Sequence, residues 1–233
     1  MPVYEIAGLR VGYEPRFDLL KKRSEKYICS GKPEFNIGVT DEVIERQLEY
    51  YNGVVSGAEL EYLWVGTAFN VKLLEYNGMY LHSSTVVADG NAYSFSAPCG
   101  TGKSTHTALW LKLLGERAYI INDDKAAIRK TEDGYRVYGT PFSGKHDISV
   151  NTSAPLKGIC FVEQEENNSI EPVDIDDAVR LLISQTLRPS NADRMVMMCD
   201  FIDGLVRDIP VYRLRCNMDI EAAELSFKTM SSR

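Results

Sequence analysis

Hydrophobic and polar positions change their rhythm near residue 78 of this 233-residue chain. Before it, short apolar stretches are mixed with charged ones. Residues 3–14, VYEIAGLRVGYE, alternate with the period of two that a strand or hairpin requires. In TDEVIERQLEYY, Thr40 is placed to cap a helix, Asp41 and Glu42 suit the positive end of its dipole, and Gly53 follows it. In LEYLWVGTAFNVKLLEY, Val65, Phe69, Val71 and Leu73 alternate, which predicts a strand after Gly66. No catalytic cluster stands out here. Residues 1–78 are expected to be a small α+β lobe supporting the remainder, residues 79–233.

From Gly78 the pattern sharpens. MYLHSSTVVADGNAYSFSA holds two β-branched and aromatic runs separated by Asp89-Gly90, a pair that favours the positive φ angles of a tight turn, so an antiparallel hairpin is expected. Its second strand feeds APCGTGKS, residues 97–104. KSTHTALWLKLLGE then carries Ala108, Leu111 and Leu114 on a helical repeat, with Gly115 as a stop. AYIINDD follows as a buried strand ending in two acids. RMVMMCDFIDGLV is an apolar helix whose Met195, Met198 and Ile202 belong to the core, and EQEENN is a solvated turn between strands.

Strand, glycine-rich loop, helix and strand are the context of a phosphate-binding loop, whose pattern is G-x-x-x-x-G-K-[ST]. Here Gly102-Lys103-Ser104 match, and the leading glycine is Ala97, a change tolerated if that position has negative φ. Residues Ala97, Pro98, Cys99, Gly100, Thr101, Gly102, Lys103, Ser104 and Thr105 are therefore expected to hold the phosphates. Small residues let backbone N–H groups surround phosphate oxygens, and the helix adds its positive end. Lys103 can bridge the β and γ phosphates, the Ser104 hydroxyl can ligate Mg²⁺, and Asp123 and Asp124 supply further hard oxygens and a proton acceptor.

Composition narrows the class of function. A net charge of −7 argues against nucleic acid as a partner. No apolar run is long enough for a membrane helix, and Met1–Arg10 lacks the pattern of a signal peptide, so no membrane association is expected. The five cysteines lack C-x-x-C spacing, which sets structural zinc aside and predicts reduced thiols in the cytoplasm.

The ordering LHSSTVVADGNAYSFSAPCGTGKST followed by IINDD resembles the catalytic domain of HPr kinase/phosphorylase, a family related in fold to ATP-dependent phosphoenolpyruvate carboxykinase. The resemblance covers residues 79–165 best. NDDK, GTPFSGK and a later RPS bring the chain nearer still to small HPr-kinase-like proteins. It implies an α/β nucleotide-binding domain with a mixed sheet, ATP and Mg²⁺ as cofactors, and transfer of the γ-phosphoryl group to a hydroxyl, that of serine in a protein, a peptide or the free amino acid, or of another small molecule. It places His82 near the reacting phosphates, and it matches Asp123 and Asp124 to that family's aspartate pair, with Asp123 as the base and Asp124 as the metal partner. It also leaves a homo-oligomer open.

The chain departs from the family after the acids. The E-I-R-G signature is replaced by GTPFSGKHDISVN, which removes the glutamate associated with phosphorolysis. Ser143-Gly144-Lys145-His146 groups small, basic and titratable residues suited to holding an acceptor or neutralising the transferring phosphoryl group. Lys145 is the expected cation there, and Arg188 of TLRPS is a second one. His106 is expected to pack rather than react. Beside the kinase stands an ATP-binding sensor or scaffold of the same fold; carboxykinase-like chemistry is disfavoured by the short chain.

Overall fold

The computed structural model describes residues 1–232, and in it the amino-terminal segment builds a mixed four-stranded sheet of its own. β1 (Val3–Ile6) and β2 (Leu9–Gly12) form the hairpin that their alternation predicts, turning through Ala7 and Gly8 at positive φ. β3 (Ile28–Cys29) pairs antiparallel with β1, and β4 (Phe35–Asn36) parallel with β2. Helix α1 (Asp18–Ser24) lies before β3. Helix α2 (Asp41–Tyr50) starts where the Thr40 side chain accepts from the Val43 N–H.

The stretch after Gly66 is helical, not extended. Helix α3 runs from Gly57 to Leu73 and begins at a capping box: Ser56 Oγ accepts from the Glu59 N–H, while the Glu59 carboxylate accepts from the Ser56 N–H. Val65, Phe69 and Leu73 recur every fourth residue and face the core, whereas Val71 lines a surface cleft. A helix apolar on most of its circumference imitates alternation in a short window. Ser56→Ala is expected to lower the melting temperature by about 3 °C through loss of a cap worth about 1 kcal/mol, measurable by calorimetry.

The second sheet has seven strands in the order β10-β11-β9-β6-β5-β7-β8. The central pair is the expected hairpin, β5 (Gly78–Ala88) and β6 (Asn91–Ser96), turning at Asp89 and Gly90 with φ of 49° and 80°. β7 (Ala118–Thr131) pairs antiparallel with β5 and hands on to β8 (Gly134–Tyr138). β9 (Ser153–Gln164) begins against β8, then runs parallel to both β6 and β11 (Val211–Cys216). β10 (Ser169–Pro172) closes the edge; the first two residues of EQEENN still belong to β9, and the last four form the turn into β10.

Helices cover both faces of this sheet. α4 (Lys103–Leu114) and α7 (Ile220–Ser231) share a core with Val86, Tyr93 and Phe95. α5 (Ile175–Ser184) and α6 (Ala192–Asp208) bury Leu182, Met198 and Ile202 against Met79, Leu81 and Val87. A third cluster joins Tyr4, Leu20 and Phe69 to Tyr80, Ala127 and Phe142, so apolar packing runs across residue 78. No helix among the described residues is long and apolar enough to cross a membrane.

Candidate active site

β6 delivers the chain to the glycine-rich loop, and α4 leaves it at Lys103. Gly100 and Gly102 have φ of 80° and 109°, values that a residue with a Cβ rarely adopts. A Cβ at either position meets no neighbouring atom, so the need for glycine is conformational rather than steric. Ala97 is not among the positive-φ residues, and its methyl is buried in the core under α4. That is the physical reason the leading glycine is dispensable here. Gly102 caps α4 with no side-chain hydrogen bond, which leaves the first-turn N–H groups free to bind an anion. Lys103 folds back so that Nζ donates to Ala97 O at 2.9 Å and Pro98 O at 3.2 Å. Burial holds its ammonium below the usual lysine pKa, against the pull of Cys99, Asp124 and Asp123.

The two acids do not end a strand, as the sequence suggested; they lie in the middle of β7. Ile121 is an extra residue in the β5–β7 ladder, between the pairs Val86–Ile120 and Thr85–Asn122. Just beyond this bulge Asp124 adopts φ of 105°, strained for a residue with a side chain. Asp123 is buried, and its carboxylate accepts from Ser104 Oγ at 2.9 and 3.2 Å. Asp124 is half-buried and has different partners: Oδ1 is 3.4 Å from His82 Nε2, and Oδ2 is 3.5 Å from Lys125 Nζ. Each acid therefore has its own partner, Ser104 for Asp123 and His82 for Asp124.

His82 is held from behind by a residue the sequence did not disclose. Gln185 Oε1 lies 3.0 Å from His82 Nδ1, and its carbonyl accepts from the His82 N–H at 2.9 Å. Thr186 Oγ1 donates to Tyr80 O. Together these contacts seat the segment after α5 on the part of β5 that β6 does not reach. Arg188, three residues beyond Gln185, is exposed and does not line the cavity at the glycine-rich loop.

The segment GTPFSGKHDISVN forms the facing wall. Thr140, Phe142 and Ser143 are buried, which makes its first half part of the scaffold rather than a surface loop. Asn122 Nδ2 donates to Thr140 O, Thr140 Oγ1 donates to Lys125 O, and the Asp123 N–H donates to Ile148 O, fastening this wall to both sides of the acid pair. The amino-terminal elements brace it too: the Gly144 N–H donates to Tyr62 Oη, Arg23 lies over the Tyr62 ring, and Lys26 Nζ donates to Ser149 O. Gly144 has φ of 70°, and a Cβ there would stand 2.8 Å from Asp124 Cβ. The glycine is what allows the wall to close on the acid.

These segments enclose a cavity of about 420 Å³. Into it face His82, Cys99, Gly100 and Gly102 to Thr105 of the loop, both acids, Gly144, Lys145 and His146, while Thr101 lines a neighbouring cavity. Most of the residues singled out in the sequence are brought together here; Pro98 is exposed and Ala97 lies in the core behind the loop. A second cavity, of about 620 Å³, continues on the other side of Gly100, Gly102 and Thr105 between Leu109, Val162, Gln164 and Met218. Among the described residues no group of three or more His, Cys, Asp and Glu side chains is arranged to hold a metal. The paired Ser104 hydroxyl and Asp123 carboxylate are two hard oxygens that suit Mg²⁺, an ion that takes most of its remaining ligands from phosphates and water.

His106 packs, as expected, beneath this floor. Its Nε2 lies 2.9 Å from Ser226 Oγ, which also accepts from Trp110 Nε1. Burial drives its pKa down to about 4, so the folded protein binds one proton fewer than the unfolded chain between about pH 4 and 6.5. Stability therefore falls as pH drops through that window. The loss at its lower end is on the order of 3 kcal/mol. His106→Gln is expected to show a shallower acid slope in urea titrations run across the window.

Comparison with known proteins now bears on this arrangement. The family model of the SynChlorMet cassette protein ScmC matches residues 60–222, well over half of the chain. The chain belongs to the ScmC family. That is a different family from the HPr kinases its motifs resemble. The match begins inside α3 and takes in the loop, both acids, the facing wall and Gln185. Among solved structures, the Hpr(Ser) kinase/phosphatase from Coxiella burnetii is similar at a TM-score of 0.38 and 10% sequence identity, over 65% of this chain and 95% of that one. No curated protein matches the sequence.

Proposed function

We propose that this protein is a kinase that moves the γ-phosphoryl group of Mg–ATP to a hydroxyl, with a serine or threonine as acceptor. One observation carries the proposal: a glycine-rich anion loop, a Ser–Asp oxygen pair and a His–Asp pair converge on one cavity. The nucleoside half of ATP fits the cavity beyond Gly100, where Leu109 and Val162 supply an apolar wall. The phosphates lie along the loop N–H groups, and Lys103 leaves the Ala97 and Pro98 carbonyls to meet them.

Ser104 and Asp123 are the residues that would hold Mg²⁺, which supplies charge neutralisation to the phosphates when bound. Asp124 is then the proton acceptor. This exchanges the roles that resemblance to the HPr kinases implies, because Ser104 pairs with Asp123 and leaves Asp124 facing His82. The acceptor oxygen forms its bond to the γ phosphorus as the bond to the β-bridging oxygen breaks, and its proton passes to Asp124. Gln185 Oε1 and Asp124 Oδ1 lie against the two ring nitrogens of His82 and fix the orientation of the ring beside the reaction. Lys145 and His146 close the opposite side.

The test is transfer of label from γ-labelled ATP to acid-stable phosphoserine or phosphothreonine in the presence of Mg²⁺. Retention of intact ATP on the protein, with no labelled product under any acceptor, would assign it instead to the nucleotide sensors.

A further inference from the structure

A cavity outside the phosphate site shares His82 with it. It measures about 290 Å³ and lies between α3 and the Ser184–Leu187 segment. Lys125, which contacts Asp124, forms part of its floor. A hydroxyl placed against His82 and Asp124 therefore has the rest of its molecule in this space. Resting on the kinase proposal above, we infer that the acceptor is a serine- or threonine-bearing polypeptide segment laid beside α3, rather than a free hydroxy amino acid.

Charge decides between the two. A free amino acid brings an ammonium and a carboxylate, and both need partners when they leave water. Lys125 is available for a carboxylate, but among the described residues no acidic side chain lines this cavity to receive an ammonium. Asp124, at its edge, is already engaged by His82 and Lys125. The lining is otherwise neutral. Leu63 and Leu187 are large, exposed and apolar, and Gly66 lets the helix backbone sit against the Phe142 ring. Thr67, Ser184 and Thr186 offer hydroxyls, and Asn70 uses its Oδ1 on the Tyr80 N–H, which leaves its amide hydrogens for a guest carbonyl. Uncharged hydrogen-bonding groups among apolar walls match peptide backbone and side chain, not a zwitterion.

The surface beyond the cavity extends the same way. Thr67 is shared with a second cleft, of about 550 Å³, on the other flank of α3. Half-exposed Trp64 and Val71 line that cleft. A free amino acid has no use for this continuation, whereas residues flanking a serine in a chain do. Exposed apolar area adjoining a catalytic cavity is the mark of a surface that is covered during function.

The experiment offers Mg–ATP to the protein with two probes: free L-serine, and a pool of short peptides, acetylated and amidated at their ends, with serine fixed at the centre and other positions randomised. The peptide pool is expected to be phosphorylated at least ~100-fold faster than free serine, with apolar residues enriched beside the phosphoserine. Leu63→Asp and Leu187→Asp, both surface changes, are expected to raise peptide KM ~10-fold with kcat within about twofold. Phosphorylation of free serine at an equal or greater rate would overturn the inference, as would peptide KM values that neither substitution moves. Titration calorimetry with Mg–ATP separates the two levels. A protein that binds no ATP, or binds it and phosphorylates neither probe, refutes the kinase proposal itself, while one that phosphorylates free serine and no peptide refutes only the acceptor assignment.

Discussion

Asp123→Asn and Asp124→Asn are expected to fail in different ways. The first should raise the Mg²⁺ concentration for half-maximal rate by ~10–100-fold, while much of kcat returns at saturating metal. The second should leave the Mg²⁺ requirement in place and lower kcat by ~10²–10⁴-fold, the usual weight of a positioned base. The difference follows from two contacts: Ser104 Oγ on Asp123 at 2.9 Å, and His82 Nε2 near Asp124 at 3.4 Å. Neither change should unfold the protein. Asparagine still accepts from Ser104 at position 123, and it is among the few residues that tolerate positive φ at position 124. The opposite outcome, metal dependence moving with Asp124 and kcat with Asp123, would restore the roles implied by the HPr-kinase resemblance. Initial rates across a Mg²⁺ titration, at fixed ATP, separate the cases.

Lys103→Ala should remove phosphoryl transfer almost completely, by ~10³-fold or more in kcat/KM. In the structure Nζ ties Ala97 O to the start of α4, so the side chain has a role before any phosphate arrives. Two signatures keep these roles apart. Loss of the loop contact should appear as a small drop in melting temperature without ATP, because Lys103 carries no part of the apolar core beneath α4. Loss of the phosphate contact should appear as a rate defect that Lys103→Arg does not repair, since a guanidinium keeps the charge but cannot occupy the compact position of an ammonium. A Lys103→Ala protein with normal turnover would remove the loop from the reaction.

What the sequence disclosed and what it hid have physical causes. The β5–β6 hairpin, the loop and α4 were legible because each rests on local chemistry: Asp89-Gly90 at a turn, glycines at positive φ, and Gly115 after the helix. α2 was legible from Thr40 for the same reason. α3 was not, because its apolar residues surround the helix; the surer signal was the Ser56–Glu59 capping box just ahead of it. β7 looked finished at Asp123 and Asp124 because charged residues usually end buried strands, yet here they face a cavity and the strand continues to Thr131.

Site residues split along the same line. Lys103, Ser104 and both acids lie within one hairpin–loop–helix–strand unit and announce themselves by spacing, whereas His82 of the same unit is marked only by the resemblance to the HPr kinases. Gln185 reaches His82 from 103 positions away, and nothing in its neighbourhood marks it. Arg188, the more conspicuous residue of that segment, stays exposed outside the cavity at the glycine-rich loop. Tyr62 and Arg23 were equally silent, although they brace the wall that carries Lys145 and His146. Sequence order points to a loop of the phosphate-binding pattern, but only the fold brings the amino-terminal elements and the α5 end around it.

A single-turnover reaction tests the central claim most directly, with protein in excess over Mg–ATP and the capped serine peptide pool present. ADP and phosphopeptide should form together in equal amounts. ATP left intact, or ADP formed with inorganic phosphate and no phosphopeptide, would contradict it.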